Sequence, residues 1–561
     1  MIFFHKTKLF ININYFFIKK ELSKIIFKKK ENIPKYNNKF INFNKYAFNI
    51  KTKKTIAVTS FVNMFEYLHH EYLVGIYLSN FLKKNLIFLV DKNDCKSKFF
   101  FESLKVEKIL FYDQPNLIIR YQNLIKSFFK LRKIKNINDF LKFKENSIAT
   151  GKMLYSHYVR FSGVPTIEKM EPDLYWLYSQ YLGYSQVFKK IIKDNEIEGI
   201  VQSETQFMPG SILTAQALKK KATIFSRLGV QKISLRKINN IKDHDTNRYS
   251  YDKEIIKKIR KNKNSKKIVK LGKKIFYERF FKNREIANHE IDKYYIHLKK
   301  KKLNKIKDKS TICKLFNWEI KKPICIIFAN NLTDGLFERV DPLFNDNYKW
   351  LQETLKEASK NKNINWLVKP HPREIKNNVK LRTKELVSDF NRFNHIKLLP
   401  DNYQPKELLK IINAVFTSHG TAGYEYPSFG IPSINASDSI YAGLNIAIRP
   451  KNIFEYKKLI KNFHNQYNKI KFDKKNANIF AYVWSKLGTV EFPSIKIKNN
   501  SYNFNKKDYW RELSKIYRKF QKTNKSSIIN DPFYKSLKFQ MDYDKKHTLD
   551  LKKLKIYKIN Y

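Results

Sequence analysis

The sequence is poor in the residues that break or crosslink a chain. Its 561 residues include 14 glycines, 16 prolines and three cysteines, Cys95, Cys313 and Cys325. The cysteines lie far apart and form no CxxC pair, which excludes a disulfide framework and indicates a reducing, cytoplasmic compartment. The spacing of His and Cys offers no zinc cluster, and we expect no metal site.

Long hydrophobic runs are also missing. Asn85–Val90 is typical of the longest apolar runs, whereas a helix that spans a bilayer needs about 18 or more apolar residues. The basic N-terminal segment 1–53 lacks the continuous apolar region and the cleavage site of a secretory signal. Its interleaved basic and aromatic residues leave two interpretations open: a poorly ordered leader, or a segment that lies on a membrane surface.

Acidic residues are scarce relative to basic ones. The sequence has 112 lysines and arginines against 50 aspartates and glutamates, a formal net charge of +62. Such an excess is typical of proteins that contact polyanions, either nucleic acid or an anionic inner-membrane surface. Compositional drift in an A/T-rich coding sequence is the competing explanation. No nucleic-acid recognition module is present, so we expect no specific nucleic-acid partner.

What the sequence has in abundance is alternation of apolar strands with amphipathic helices. This pattern predicts an α/β protein with two Rossmann-like, doubly wound domains that face a cleft, over residues 54–250 and 321–494. Between them, residues 251–310 carry 22 basic against 7 acidic residues. We therefore expect a basic helical insertion or hinge over 251–320, followed at 495–561 by a basic, aromatic extension. Leader, insertion and extension predict salt-sensitive adsorption to anionic vesicles.

The second domain is predicted in most detail. Strands are expected at Ile324–Ala329, Trp366–Lys369, Ile396–Leu399, Ala414–Thr417 and Pro432–Asn435. Helices are expected at Tyr348–Ser359, Val379–Phe390, Pro405–Ile412 and Tyr424–Phe429. Together they make a doubly wound half of five parallel strands, whose carboxyl edge is the place where ligands bind in such folds.

A glycine-containing segment follows the fourth of these strands and precedes a helix. Gly420 and Gly423 predict a close backbone turn with free N–H groups at the helix start, which favours a phosphate or pyrophosphate. Ser418 and Thr421 add hydroxyl donors at the same edge. Glu425 lies in the next turn, where a carboxylate can accept hydrogen bonds from a ribose or sugar diol. A plain strand–helix turn is the alternative.

A His–Pro segment follows the second strand. Lys369, His371 and Arg373 place three potential cations at the same sheet edge, and Pro370 and Pro372 keep the loop extended. A histidine there can hold a nucleotide phosphate or protonate a departing phosphate oxygen, because its pKa lies near neutrality. A surface histidine in a turn is the alternative.

The two segments lead to one geometric expectation. His371 and Ser418 should lie at neighbouring strand ends, both turned towards the loop Gly420–Gly423. No Walker loop or GxGxxG fingerprint is present, which argues against a P-loop ATPase or a dehydrogenase. No DxD triplet stands where a metal-dependent sugar transferase needs one, so we expect metal-independent chemistry without a cofactor.

We expect the first domain to bind the acceptor and supply the catalytic base, although its sequence motifs are weaker than those of the second domain. Glu204 directly follows an apolar strand and is the leading candidate. Glu66, His69 and His70 are further candidates on one helix, although Glu66 also fits a helix cap begun by Asn63.

These segments resemble the bacterial capsule polysaccharide biosynthesis proteins, a group of GT-B-fold glycosyltransferases related to sialic-acid and Kdo-type transferases. The resemblance covers about residues 320–450 with good specificity and the first domain only loosely. Besides the two motifs it rests on Ile326–Phe337, Tyr348–Trp350, Leu399–Asp401 and Tyr441–Gly443.

The resemblance implies that His371 and Ser418 hold the phosphate of a nucleotide-sugar donor. It also implies a catalytic role for Asp334, with one departure from the pattern. Related proteins often carry a histidine a few residues before the matching aspartate, and Asn330 and Asn331 stand there instead.

The sequence therefore predicts a metal-independent glycosyltransferase of capsular or surface polysaccharide synthesis, acting on a saccharide or lipid-linked acceptor. A sugar-nucleotide epimerase, a polyol-phosphate transferase and a non-catalytic polysaccharide-export partner remain alternatives. The sugar, the nucleotide and the stereochemical outcome are not encoded in any recognisable motif.

Overall fold

The computed structural model of the protein describes residues 2–26, 52–62, 65–104, 106, 108–228, 232–245, 253–282, 306–335, 342–375, 377–400, 403, 405–491 and 529–561. The chain forms two compact units, each assembled from three stretches of sequence. Unit 1 comprises Met1–Leu154, Glu168–His244 and Gly488–Leu551, and unit 2 comprises Tyr155–Ile167, Asp245–Leu487 and Lys552–Tyr561.

Strands and helices alternate along most of the described chain. The strands are Thr55–Thr59 (β1), Asn85–Asp91 (β2), Ile109–Tyr112 (β3), Ile197–Gln202 (β4), Thr223–Leu228 (β5), Lys232–Ile238 (β6), Ile324–Phe328 (β7), Asn365–Lys369 (β8), Ile396–Leu398 (β9), Ala414–Thr417 (β10), Ser433–Asn435 (β11) and Val490–Glu491 (β12). The helices are Ile2–Ile26 (α1), Phe65–Leu82 (α2), Cys95–Ser103 (α3), Leu117–Leu131 (α4), Ile137–Lys142 (α5), Thr150–Ser162 (α6), Pro172–Asp194 (α7), Gly210–Lys219 (α8), Ile241–Asp245 (α9), Lys253–Lys261 (α10), Ser265–Lys282 (α11), Lys309–Phe316 (α12), Asn347–Lys360 (α13), Thr383–Ser388 (α14), Pro405–Leu408 (α15), Ala422–Phe429 (α16), Ile453–Lys461 (α17), Lys474–Tyr482 (α18), Pro532–Asp542 (α19) and Leu551–Ile556 (α20).

Unit 1 is built on a seven-stranded sheet with the order β12-β6-β5-β4-β1-β2-β3. The five strands from β5 to β3 run parallel, whereas β6 pairs antiparallel with β5 and β12 antiparallel with β6. All five residues of β1 are buried. This is why β1 is a nearly continuous apolar run rather than an alternating one: a central parallel strand is covered on both faces.

Unit 2 is built on a five-stranded, fully parallel sheet with the order β11-β10-β7-β8-β9. The chain proceeds outward from β7 through β8 to β9, then returns to the other side of β7 to form β10 and β11. The direction of winding therefore reverses between β7 and β10. In sheets of this kind the reversal opens a crevice at the carboxyl edge, where ligands bind.

Alternate residues of β7 pack on opposite faces of this sheet. Cys325 and Ile327 face a core that includes Trp350 of α13, and Ile326 faces a second core that includes Tyr426 of α16. Both faces are thus covered by helices, which defines double winding. The predicted fold class, two doubly wound α/β units with a helical insertion, is confirmed.

The boundaries of several elements differ from those expected. The helix expected at Val379–Phe390 begins only at Thr383, because the buried Glu374 carboxylate accepts the Thr383 N–H at 3.1 Å and so caps the helix there. The helix expected at Pro405–Ile412 is the shorter Pro405–Leu408. Asn63 and the side chain of Glu66 lie outside the described residues.

Of the N-terminal segment 1–53, the structure describes residues 2–26 and 52–53, and the first of these stretches is helical. Ile2–Ile26 form the helix α1, in which Ile13 and Phe17 are buried. Phe17 packs against Tyr121 of α4 with ring centroids 5.9 Å apart, and Glu21 pairs with Arg120 at 2.6 Å. The helical spacing of these apolar residues gives α1 a face that packs on the rest of unit 1.

Candidate functional site

The predicted motifs lie at the switch point of the sheet in unit 2. β7 ends at Phe328 and leads into Asn330, and β10 ends at Thr417 and leads into Ser418. These two strands are adjacent and parallel. The loop after β10 runs directly into α16, so a helix start, a strand end and the reversal of winding meet at one edge.

Asn330 fixes the loop after β10 to the end of β7. Its Oδ1 accepts hydrogen bonds from Thr417 Oγ1 at 2.9 Å and from Ser418 N at 3.0 Å. Thr417 Oγ1 in turn accepts the Gly420 N–H at 3.1 Å. Asn330, Thr417 and Ser418 are all buried. The Asn330 side chain thereby links the start of this loop to the end of β7.

Tyr441 holds the same loop from the other side. Its hydroxyl donates to the Gly420 carbonyl at 2.8 Å and accepts from Asn435 Nδ2 at 2.8 Å. A Cβ atom on Gly423 would lie only 1.8 Å from Tyr441 Oη. Glycine is therefore required at position 423 by the approach of this tyrosine, in addition to any ligand.

The N–H groups at the helix start are engaged differently from the expectation. The Gly420 N–H donates to Thr417 Oγ1, and the Gly423 N–H donates to the Gly420 carbonyl at 3.0 Å. Neither is a free donor, because both close the turn. The N–H groups of Thr421 and Ala422 head α16 and have no acceptor within the described part of the chain. These two, with the exposed Thr421 side chain, are the donors available to an anion.

The His–Pro segment is a fixed turn after β8. His371 Nδ1 accepts the Arg373 N–H at 3.2 Å, so in the neutral ring the proton resides on Nε2, which is then a donor. Glu374 anchors the turn to α14 through the Thr383 N–H, and burial raises the pKa of its carboxyl group. The sequence thus presets the orientation of the imidazole.

The predicted adjacency of His371 and Ser418 is wrong. β7 lies between β8 and β10, so the residue next to Ser418 is Asn330. Strands are spaced by about 4.8 Å in a sheet, which separates the two strand ends by roughly two such steps. The prediction failed because the sequence shows the two motifs but does not show the order of the strands in the sheet.

Glu425 has a charged protein partner, and the backbone of Lys369 extends the sheet at the site edge. Glu425 is buried, and its Oε1 lies 3.0 Å from Arg279 Nη2 of α11. The basic insertion thus supplies a counter-charge to a carboxylate predicted to bind a sugar diol. Lys369 is the last residue of β8, and its carbonyl accepts the Ala329 N–H at 3.0 Å. The pairing of β7 with β8 therefore continues to the site edge.

Asp334 lies beyond β7 in a small polar cluster. Its Oδ1 accepts from Arg160 Nη1 at 2.8 Å and from Asn331 Nδ2 at 3.0 Å. About 46% of the Asp334 side chain is exposed, so this carboxylate remains accessible to a ligand. Asn331 therefore orients Asp334.

The candidate catalytic residues of unit 1 whose side chains the structure describes are either hydrogen-bonded within a turn or buried. Glu204 Oε1 accepts the N–H groups of Gln206 at 2.6 Å and Phe207 at 2.9 Å, and so caps the turn after β4. His69 and His70 are buried in α2. Burial lowers the pKa of His69 to about 3, which keeps this ring neutral near pH 7.

The residues that fix the loop after β10, Asn330, Asn435 and Tyr441, were not predicted to do so. Each is a polar residue placed at or just beyond a buried strand or turn of unit 2. A polar residue at the end of a buried strand could have indicated these positions from the sequence, because buried polar groups need hydrogen-bond partners. Which partner each one finds depends on the strand order.

Comparison with known proteins gives weak structural likenesses. No protein-family model matches, and no curated protein matches by sequence. Solved structures similar to the chain include a KpsC β-Kdo 2,4-transferase from Thermosulfurimonas dismutans, with 10% identity over 52% of this chain and 80% of that one, and a TM-score of 0.30. The UDP-GlcNAc 2-epimerase of Neisseria meningitidis, solved with UDP-GlcNAc, has 10% identity, coverages of 76% and 97%, and a TM-score of 0.22. Anabaena HepE in complex with UDP has 8% identity, coverages of 77% and 96%, and a TM-score of 0.26.

Two kinds of feature are missing from the described part of the chain. No helix there is long and apolar enough to cross a membrane. No group of three or more His, Cys, Asp or Glu side chains there is arranged to hold a metal ion.

Proposed function

We propose that the protein is a glycosyltransferase of capsular or other surface polysaccharide synthesis. It would transfer a sugar from a nucleotide-activated donor to a saccharide or lipid-linked acceptor. The observation that carries this proposal is the loop after β10, which is locked by Asn330 and Tyr441 and presents the N–H groups of Thr421 and Ala422 at the switch point. A preorganised pair of donors at a helix start suits a nucleotide phosphate.

In this proposal the chemistry is displacement at the anomeric carbon of the donor sugar. The nucleotide phosphate leaves, and its growing negative charge is stabilised by donors that are already in place. Ser418 and Thr421 would bind the phosphate, with Gly420 and Gly423 shaping the loop. His371 would donate from Nε2, and Lys369 and Arg373 would add positive charge. Those roles use no metal ion.

The remaining predicted residues have roles that follow from their partners. Glu425, held beside Arg279, would orient the donor ribose or sugar. Asp334, held by Arg160 and Asn331, is more exposed than Glu425 and would contact the reacting sugar. Glu204 of unit 1 would act as the catalytic base once the acceptor is bound, although its carboxylate caps a turn here.

A panel of nucleotides tests the donor site directly. Isothermal titration of the purified protein with cytidine and uridine mono- and diphosphates should give saturable binding to one base class. A cytidine monophosphate preference would indicate an acidic donor sugar, and a uridine diphosphate preference a neutral or amino sugar. No nucleotide binding under any condition would remove the proposal.

His371→Ala tests the assignment of the leaving-group contact. Loss of one preorganised donor costs about 2–4 kcal/mol of transition-state stabilisation, which is roughly a 10²–10³-fold drop in kcat. His395→Ala is the matched control, because His395 precedes β9 at the opposite edge of the same sheet and contacts the Ala358 carbonyl at 3.2 Å. Equal activities of the two variants would contradict the role of His371.

Product analysis separates transfer from epimerisation. A glycosyltransferase releases free nucleotide only when an acceptor is present, apart from slow hydrolysis. A sugar-nucleotide epimerase changes the donor sugar without any acceptor. Conversion of a nucleotide sugar to its epimer in acceptor-free assays would therefore replace the proposed activity with the alternative.

A further inference from the structure

Helix α1 carries an apolar stripe on the side that does not pack against the rest of unit 1. Ile11, Tyr15, Ile18 and Leu22 are spaced by four, three and four residues, which places them on one side of the helix. Between 51% and 68% of each is exposed. The opposite side is already used, because Ile13 and Phe17 are buried against the rest of the unit.

Helix α4 extends this apolar stripe sideways. α1 and α4 run antiparallel in contact, since Phe10 meets Phe128 at 4.9 Å between ring centroids and Glu21 meets Arg120. On α4, Ile118 is 71% and Phe129 is 51% exposed. We call six of the exposed apolar residues of the two helices, Ile11, Tyr15, Ile18, Leu22, Ile118 and Phe129, the α1–α4 face.

The charges on the two helices are almost all positive. Together α1 and α4 contain eight lysines and arginines and a single acidic residue, Glu21. That glutamate is engaged by Arg120 at 2.6 Å. Lys8 and Lys19 are exposed, and both lie within one helical turn of the apolar stripe. Apolar side chains bordered by unopposed lysines are typical of helices that lie in a bilayer interface.

We propose that the α1–α4 face docks on an anionic lipid bilayer, with α1 lying in the plane of the headgroups. The apolar stripe would enter the headgroup region by about 5–10 Å while Lys8 and Lys19 contact lipid phosphates. α1 contains five lysines and is packed along one side, so it lies on the surface rather than across it. The proposal is independent of the glycosyltransferase activity.

Charge decides between this occupant and two others. A second copy of the chain would bring two strongly positive faces together, which opposes association. A nucleic acid would satisfy the lysines but has no use for four exposed apolar side chains in a row. An anionic bilayer accommodates the apolar side chains of the face and also pairs with the neighbouring lysines.

Vesicle flotation tests the proposal. The full-length protein should float with phosphatidylcholine vesicles that contain about one third phosphatidylglycerol, and not with phosphatidylcholine alone. Raising salt from about 0.1 M to about 1 M should weaken binding, because the Debye length falls from about 10 Å to about 3 Å. Equal binding to neutral and anionic vesicles would overturn the electrostatic half of the proposal.

Paired variants test the face itself. Ile18→Ser with Leu22→Ser should lower the partition coefficient by at least about tenfold, and Lys8→Gln with Lys19→Gln by about 25-fold, at about fivefold per lysine. All four side chains are exposed, so the melting temperature should not change. A fall in melting temperature would mean that the chain itself covers the face, which overturns the proposal.

Matched controls lie in unit 2. Leu315→Ser with Ile320→Ser removes two apolar side chains of similar exposure, 52% and 53%. Lys461→Gln with Lys469→Gln removes two exposed lysines. Both control pairs should bind vesicles like the wild type.

Two further outcomes would each refute lipid docking. If only the lysine pair matters, the face binds polyanions without using its apolar stripe. If sedimentation velocity shows a dimer that the serine pair dissociates, a second copy occupies the face.

Discussion

Removal of the Asn330 side chain is the sharpest test of the site. In Asn330→Ala the Ser418 N–H loses its acceptor, and so does the Thr417 hydroxyl. Ser418 and Thr417 are 2% and 1% exposed, so water cannot easily replace the lost oxygen. A buried donor left without a partner costs about 1–3 kcal/mol, and the second bond adds about 1 kcal/mol. We expect unit 2 to lose about 2–4 kcal/mol of unfolding free energy.

Asn330→Asp separates loop position from charge. The carboxylate retains an acceptor for both donors, so most of the anchoring remains. Its second oxygen replaces Nδ2, which lies 3.6 Å from the Cβ position on Gly420. A negative charge there opposes a phosphate on the loop, and an interaction of about 1.4 kcal/mol or more corresponds to at least tenfold weaker nucleotide binding.

Urea unfolding and calorimetry measure the two effects separately. Trp350 and Trp366 are fully buried in unit 2, so tryptophan fluorescence reports its unfolding. Asn361→Ala is the control: Asn361 is 3% exposed and donates to the Ile460 carbonyl at 2.8 Å, at the opposite edge of the sheet. It should lower stability without changing nucleotide affinity. Unchanged stability and affinity in Asn330→Ala would refute the reasoning.

The remaining predictions concern packing and pH. Gly423→Ala should cost about 1–3 kcal/mol of stability, because the new methyl overlaps Tyr441 Oη, and Tyr441→Phe in the same chain should restore part of it. Burial lowers the pKa of His69 from its ordinary 6.5 to about 3, so the unfolded state binds more protons in that window and stability is lost as pH falls through it. His69→Leu should flatten this loss by up to about 1.4 kcal/mol per pH unit in unfolding experiments; an unchanged slope would contradict the assignment.

Much of unit 2 could be predicted because parallel strands are short apolar runs between breaker residues. Ala414–Thr417 is a strand over the predicted residues, and Ile324–Ala329 is one residue shorter. In unit 1 the apolar runs at 54–60, 85–91, 199–203 and 222–225 predict four strands, which correspond to β1, β2, β4 and β5. The strands β3, β6 and β12 were not predicted. β12 has only two residues, Val490 and Glu491, and pairs with a strand more than 250 residues away, so no local pattern marks it.

The candidate site was predicted in its parts but not in its arrangement. Ser418 and His371 were recognised because each follows an apolar run, where polar residues reach a sheet edge. Their distance depends on β7 lying between them, which is decided by packing across the sheet. The Arg279–Glu425 pair likewise joins residues about 150 positions apart, and neither neighbourhood indicates the other.

The interleaving of the two units has a consequence for how the chain is made. Residues 488–551 belong to unit 1, and residues 552–561 belong to unit 2. Tyr557 packs on Tyr482 with ring centroids 5.7 Å apart, and Asn264 donates to the Tyr557 carbonyl. During synthesis, therefore, neither unit can bury its last contacts until this stretch leaves the ribosome. The apolar surface of unit 1 that residues 488–551 cover therefore stays exposed while the intervening residues are synthesised, which favours aggregation of nascent chains.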